Sequence, residues 1–135
     1  MTPANKKFFL CLCYYNEAEF KAWTPEQLAA IPDACAPHDR ALRATGRCVM
    51  NTSLSDPDKA RVIRPSENGP LVSNGAYART PEPVGAAFIV EAADMDEAVR
   101  IASLHPGANL SAFFGGGGIE VRAFDHFEMR APEPA

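Results

Sequence analysis

His105, followed at once by Pro106, is the side chain whose type best suits proton transfer, because imidazole titrates near neutral pH. It closes an apolar stripe made by Ala98, Ile101 and Ala102, so two readings stand side by side. It could serve as general acid or base in a cleft, or it could cap free carbonyls at a helix C-terminus, where the macrodipole favours it. Cys35, His38, Leu42 and Thr45 form a second stripe at i, i+3, i+7 and i+10, while Asp39, Arg40 and Arg43 are expected to turn outward. On that stripe His38 is either a satisfied core histidine or a catalytic assistant. Cys35, placed near a helix start, would have a lowered thiol pKa and could act as a nucleophile, against the reading of a buried inert cysteine. Tyr14, Ser53, Asn74 and Tyr77 carry groups able to hold a ligand by hydrogen bonds, although turn chemistry alone also accounts for Asn74-Gly75. Three zinc ligands could be drawn from Cys35, His38 and His105, but no spacing motif supports a metal site and none is expected.

These residues need elements to position them. Lys7 to Tyr15 is short, aromatic-rich and apolar on both faces, which suits a central strand. Thr24-Pro25-Glu26-Gln27 reads as a capped helix start, Pro32 as an interruption, and a second helical segment runs from Asp33 or Ala36 to Gly46, which suits a left-handed C-cap. Arg47 to Leu54 predicts a second strand. Ala60 to Arg64 with Pro70 to Ser73 predicts a hairpin arm closed around Asn68-Gly69. Val84 to Glu91 is a strand, Asp94 to Glu97 a capping box opening a helix, and Pro106-Gly107 its stop. Gly115 to Gly118 lacks the strand-to-helix context of a phosphate loop and reads as a flexible connection to a last strand, Ile119 to Phe127. His126 and Asp125 on that strand would point to opposite faces and form no dyad. Residues 131 to 135 are expected to fray as a disordered tail behind a single domain spanning 1 to 130.

The order β, α, β, β, α, β with an inserted hairpin predicts an α+β, ferredoxin-like antiparallel sheet with both helices on one face. Two consequences follow. If the strands at Lys7 to Tyr15 and Val84 to Glu91 are apolar on both faces, as Leu10, Leu12, Phe88 and Val90 suggest, the bare sheet face should be covered by a second copy, giving a homodimer. The start of the first helix should also lie beside the end of the second. Cys35 and His38 would then approach His105 at a rim shared with Tyr14, Tyr15, Thr52, Ser53, Val84 and Gly85, where a small-ligand cleft is expected.

Composition removes several classes of function. A formal net charge of -4 with scattered Lys and Arg argues against nucleic-acid binding. No apolar stretch approaches the roughly 18 to 20 residues needed to span a bilayer, so no membrane partner is expected. The cysteines at 11, 13, 35 and 48 form no CxxC pair and suit reduced thiols in the cytoplasm. No cofactor is indicated.

The run Val72-Ser73-Asn74-Gly75-Ala76-Tyr77-Ala78-Arg79-Thr80, then Val84-Gly85-Ala86-Ala87-Phe88-Ile89-Val90-Glu91, then Asp94 to Ala98, resembles the YCII-related family, specifically its DGPF branch. With the first-strand pattern and Leu42 to Val49, the likeness covers about residues 7 to 128. The branch's Asp-Gly-Pro-Phe stands here as Asn74-Gly75-Ala76-Tyr77, keeping the glycine and an aromatic but not the acid or the proline. The resemblance implies a dimeric α+β fold. It also implies, in YCII proper, a His-Asp dyad with the histidine on the first helix and the aspartate in an Asp-Pro step after the second, a dyad not preserved in kind here. Here the Asp-Pro position is His105-Pro106, and the histidine position falls near Cys35, with His38 one turn later.

Two functions are compatible with this reading. The first is a non-catalytic dimeric module that binds a small molecule or a partner through the cleft or the hairpin arm. The alternative is a small cofactor-independent lyase, isomerase or dehalogenase with His105 as general acid or base and Cys35 or His38 assisting.

Overall fold

The computed structural model describes residues 7–110 and 115–130, and the tail expected at 131–135 lies outside the described residues. Strand β1 (Lys7–Tyr14) alternates strictly, burying Phe9, Cys11 and Cys13 on one face and half-covering Phe8, Leu10 and Leu12 on the other. It lies between β5 (Val84–Ala92) and β6 (Gly118–Ala123), with β2 (Cys48–Ser53) beyond β5. All of these pairings are antiparallel, and the order β2-β5-β1-β6 is that of a ferredoxin-like α+β sheet. The register sets Cys11 opposite Phe88 and Phe9 opposite Val90, so these four share a face. That face packs against Leu42 of helix α2 (Pro25–Ala44) and against Ala98, Ile101 and Ala102 of helix α3 (Met95–Ala102). Both helices therefore cover one side of the sheet. The hairpin arm is β3 (Arg61–Arg64) paired with β4 (Leu71–Asn74), a separate two-stranded sheet.

Several boundaries differ from the sequence expectations, each for a local reason. Asn16 caps a short helix, α1 (Glu17–Lys21), by accepting from the Glu19 amide at 3.0 Å, and Glu17 and Glu19 favour its positive end. Pro32 does not interrupt α2, which runs unbroken through both Pro32 and Pro37. A proline removes the bond to the carbonyl four residues earlier, but Leu28 and Asp33 are exposed and water can serve them. The capping box at Thr24 is complete, and Gly46 follows the helix with φ +67°. Helix α3 stops at Ala102, so His105 lies beyond its last turn instead of in it. Pro106 contributes, since a proline biases the residue before it away from helical backbone, and His105 is extended at ψ 146°. Strand β6 ends at Ala123, four residues short of Phe127. After it the chain folds Phe127 against Phe124 and Phe8, with ring centroids 4.8 and 5.0 Å apart.

Candidate functional site

Extended backbone at His105 makes it the cap of a 3₁₀ turn, Pro106–Ala108, and that turn is where the site begins. The Gly107 amide donates to His105 Nδ1 at 2.9 Å. Its imidazole lies flat on buried Phe88, with centroids 4.4 Å apart and planes 5° from parallel. Cys13 Sγ sits 4.0 Å from the same Nδ1. One nitrogen bonded and one ring face stacked leave the imidazole a single orientation. With Nδ1 accepting from a backbone N–H, the neutral ring must carry its own proton on Nε2. Burial against Phe88 and its neighbours pushes the His105 pKa down, opposed by the weaker pull of the Asp39 carboxylate, so the neutral ring is favoured.

The turn forms one wall of a cleft of about 530 Å³. Pro106 and Gly107 extend that wall, Cys35 and Asp39 reach in from α2, and Cys13, Tyr14, Tyr15 and Phe20 line the end of β1 and its continuation. The floor is Gly85 and Ala86 of β5 with Asn51, Thr52, Ser53 and Leu54 at the end of β2. Gly85 is required where it stands, because a Cβ there would come within 2.6 Å of the Tyr15 ring. Tyr15, Phe20 and Trp23 continue as an aromatic chain, with successive centroids 5.6 and 5.4 Å apart.

Of the residues singled out from the sequence, Cys35, Ser53, Tyr14 and His105 all line this cleft. Tyr14 has its hydroxyl committed to Glu120, to which it donates at 2.8 Å. His38 is half-buried and does not line it. Asn74 borders a different hollow of about 350 Å³ beside Glu17 and Asp58. Tyr77 is exposed on the arm side, its ring under the Arg64 guanidinium at 4.3 Å and its carbonyl accepting from Arg64 Nη2 at 3.2 Å.

The expected lowering of the Cys35 thiol is corrected. Because α2 begins at Pro25, Cys35 sits mid-helix, away from the positive end, and burial with Asp39 nearby pushes its pKa up. Burial likewise pushes Cys13 up to about 12. Both thiols are poor nucleophiles. Asp39, expected to turn outward, faces the cleft instead. It lies four residues after Cys35, as much on one helical face as the three-residue step to His38 is, so the spacing that flagged Cys35 could have flagged it too.

Chemically the site offers a neutral N–H donor at His105, one carboxylate at Asp39, and neutral polar groups at Asn51 and Ser53, set in largely apolar walls. No group of three or more His, Cys, Asp or Glu able to hold a metal ion occurs among the described residues. A family model described as the YCII-related domain matches residues 7–121. No curated protein matches the chain.

Proposed function

The chain belongs to the YCII-related domain family, and from that premise we propose that it binds a small molecule in the cleft at the helix ends. The observation that carries this is the cleft itself: about 530 Å³, apolar-walled, and furnished with a few fixed polar groups, as small-ligand sites are. Departure from a proton-accepting site supports binding over His105-based catalysis, because the one nitrogen of the neutral ring with a lone pair already holds the Gly107 amide. The Asn74 to Tyr77 turn supports placing the chain in the DGPF branch. Four cysteines outside any disulfide support a reducing compartment such as the cytoplasm. No helix among the described residues is long and apolar enough to cross a membrane.

Thermal-shift screening tests the binding role. A ligand at a hundred times its Kd stabilises by about 2.7 kcal/mol, an easily read rise in Tm. Ser53→Trp, at the exposed end of β2, fills the cleft without touching the core. Hits should raise the Tm of the wild type and leave Ser53→Trp unmoved; hits that persist in the blocked variant would place binding elsewhere and sink this reading.

We also propose that the sheet face opposite the helices joins two copies. Leu10, Leu12 and Ala87 are half-covered there, and Ile89 is 8% exposed yet outside the core beneath the helices. Such a continuous apolar strip suits an isologous contact.

A further inference from the structure

We propose that the cleft selects a small, uncharged carbonyl compound, whose carbonyl oxygen accepts from His105 Nε2–H while a donor group on the same molecule faces Asp39. The inference rests on the binding role given to this cleft and adds the class of ligand.

Tautomer comes first. A neutral imidazole has one donor and one acceptor nitrogen, and the Gly107 N–H, 2.9 Å from Nδ1, occupies the acceptor. Cys13 does not reverse this, because burial keeps its thiol protonated, so what lies 4.0 Å from Nδ1 is another potential donor. The stack on Phe88 fixes the ring plane and the Gly107 bond fixes which way round the ring lies, since turning it over within that plane would set a C–H against the Gly107 N–H. His105 is among the residues lining the cleft, and the nitrogen left for a ligand is the donor Nε2, so the matching ligand atom is an acceptor.

Charge comes second. Asp39 is the one carboxylate lining the cleft among the described residues, and no Lys or Arg lines it. A carboxylate or phosphate ligand would give up its hydration to sit in a half-enclosed site with a like charge and no cation. A cationic ligand would satisfy Asp39 but meet the His105 N–H with another donor. An uncharged carbonyl compound bearing a hydroxyl or N–H satisfies both groups. Apolar walls at Tyr15, Phe20, Leu54 and Pro106 then favour a ring or short hydrocarbon as the rest of the molecule.

The test uses ¹⁵N-labelled full-length protein and three matched probes: phenylacetamide, phenylacetate and 2-phenylethylamine. A two-bond ¹H–¹⁵N spectrum distinguishes a protonated ring nitrogen from a bare one and should show His105 protonated at Nε2 before any probe is added. Phenylacetamide should shift the amides of Ser53, Gly85 and Gly107 together with His105 Nε2, and bind more tightly than either charged probe. His105→Gln keeps an N–H close to the Nε2 position and should retain affinity. His105→Phe keeps a flat ring on Phe88 without the donor and should weaken phenylacetamide roughly three- to tenfold, the worth of one neutral hydrogen bond. A bare Nε2, equal affinities for the three probes at the cleft, or unchanged binding in His105→Phe overturns the ligand class while leaving the cleft as a binding site. No shift at the cleft amides with any probe overturns the cleft reading and this inference together. The tautomer spectrum needs no variant, so the proposal can fail even if both substitutions unfold.

Discussion

At the scale of single residues, His105 couples the site to stability as well as to binding. Its folded pKa lies below the usual 6.5, first because burial penalises the imidazolium. The unfolded chain then binds the proton more readily than the folded one. The sign follows: the stability contributed by the neutral, Gly107-bonded ring is fully present above about pH 6.5 and is lost as pH falls from there through the folded value. Asp39 and Cys13 are the other titratable groups beside it, and burial keeps Cys13 a thiol throughout this range. Thermal melts between pH 7.5 and about pH 5 should show the wild type losing more Tm than His105→Gln. Parallel curves for the two would mean that His105 titrates as a solvated histidine and that its stack and amide bond do not hold in solution. The cysteines give a second prediction: with thiols pushed to about 12, Cys11 and Cys13 should resist alkylation by iodoacetamide at neutral pH until denaturant exposes them, as read by peptide mass spectrometry. Residue types at the site were legible in part. Cys35, Ser53, Tyr14 and His105 were read as neighbours from topology, while Asp39 was not, because a stripe drawn through His38 leaves Asp39 just off its edge although one helical face is wide enough for both. The extended backbone at His105 follows the bias of a pre-proline residue away from helix, which Pro106 carries in plain view, although Ile31 and Ala36 keep helical backbone before Pro32 and Pro37.

At the scale of elements, most of the sheet was legible because period-two alternation and caps are local signals. Helix α2 was misread because proline is a penalty and not a prohibition. The two prolines are themselves exposed, and the complete Thr24 capping box with Gln27 offsets part of their cost by satisfying donors at the helix start. Interior proline costs about 3 kcal/mol, of which up to about 1 is returned by restricting the unfolded chain. Pro37→Ala should therefore stabilise the protein by about 2 kcal/mol, measured as a rise in the urea midpoint at constant m. A destabilised variant would mean that Pro37 shapes the helix over the cleft in a way its exposure hides. Helix α1 escaped notice for the opposite reason. At five residues it is too short to show a period, and only its Asn16 cap with acidic Glu17 and Glu19 announces it.

At the scale of the whole molecule, the sheet has two faces with different tasks, and a one-residue shift in register would exchange them. Phe9, Cys11, Phe88 and Val90 must lie under the helices, because α2 and α3 supply Leu42, Ala98, Ile101 and Ala102 to meet them there. That leaves Leu10 opposite Ile89 and Leu12 opposite Ala87 in the centre of the other face, bordered on β6 by Arg122 and Glu120. The arrangement is an apolar strip edged by charge, which supports the proposed pairing of two copies. The cleft is walled by α2 and the turn after α3, on the helix side of the sheet, so joining two copies through the strip should leave both clefts accessible. Leu12→Glu separates these functions experimentally. It places a charge at the centre of the strip without removing any side chain of the core, so it should convert a dimer into a folded monomer by light scattering, with a urea midpoint that no longer depends on protein concentration and with phenylacetamide binding retained. A wild type that scatters as a monomer would exclude the proposed pairing. A dimer untouched by Leu12→Glu would move the contact elsewhere, and the hairpin arm, where Ile63 and Val72 pair across the strands and stand 68% and 61% exposed, would be the next surface to test.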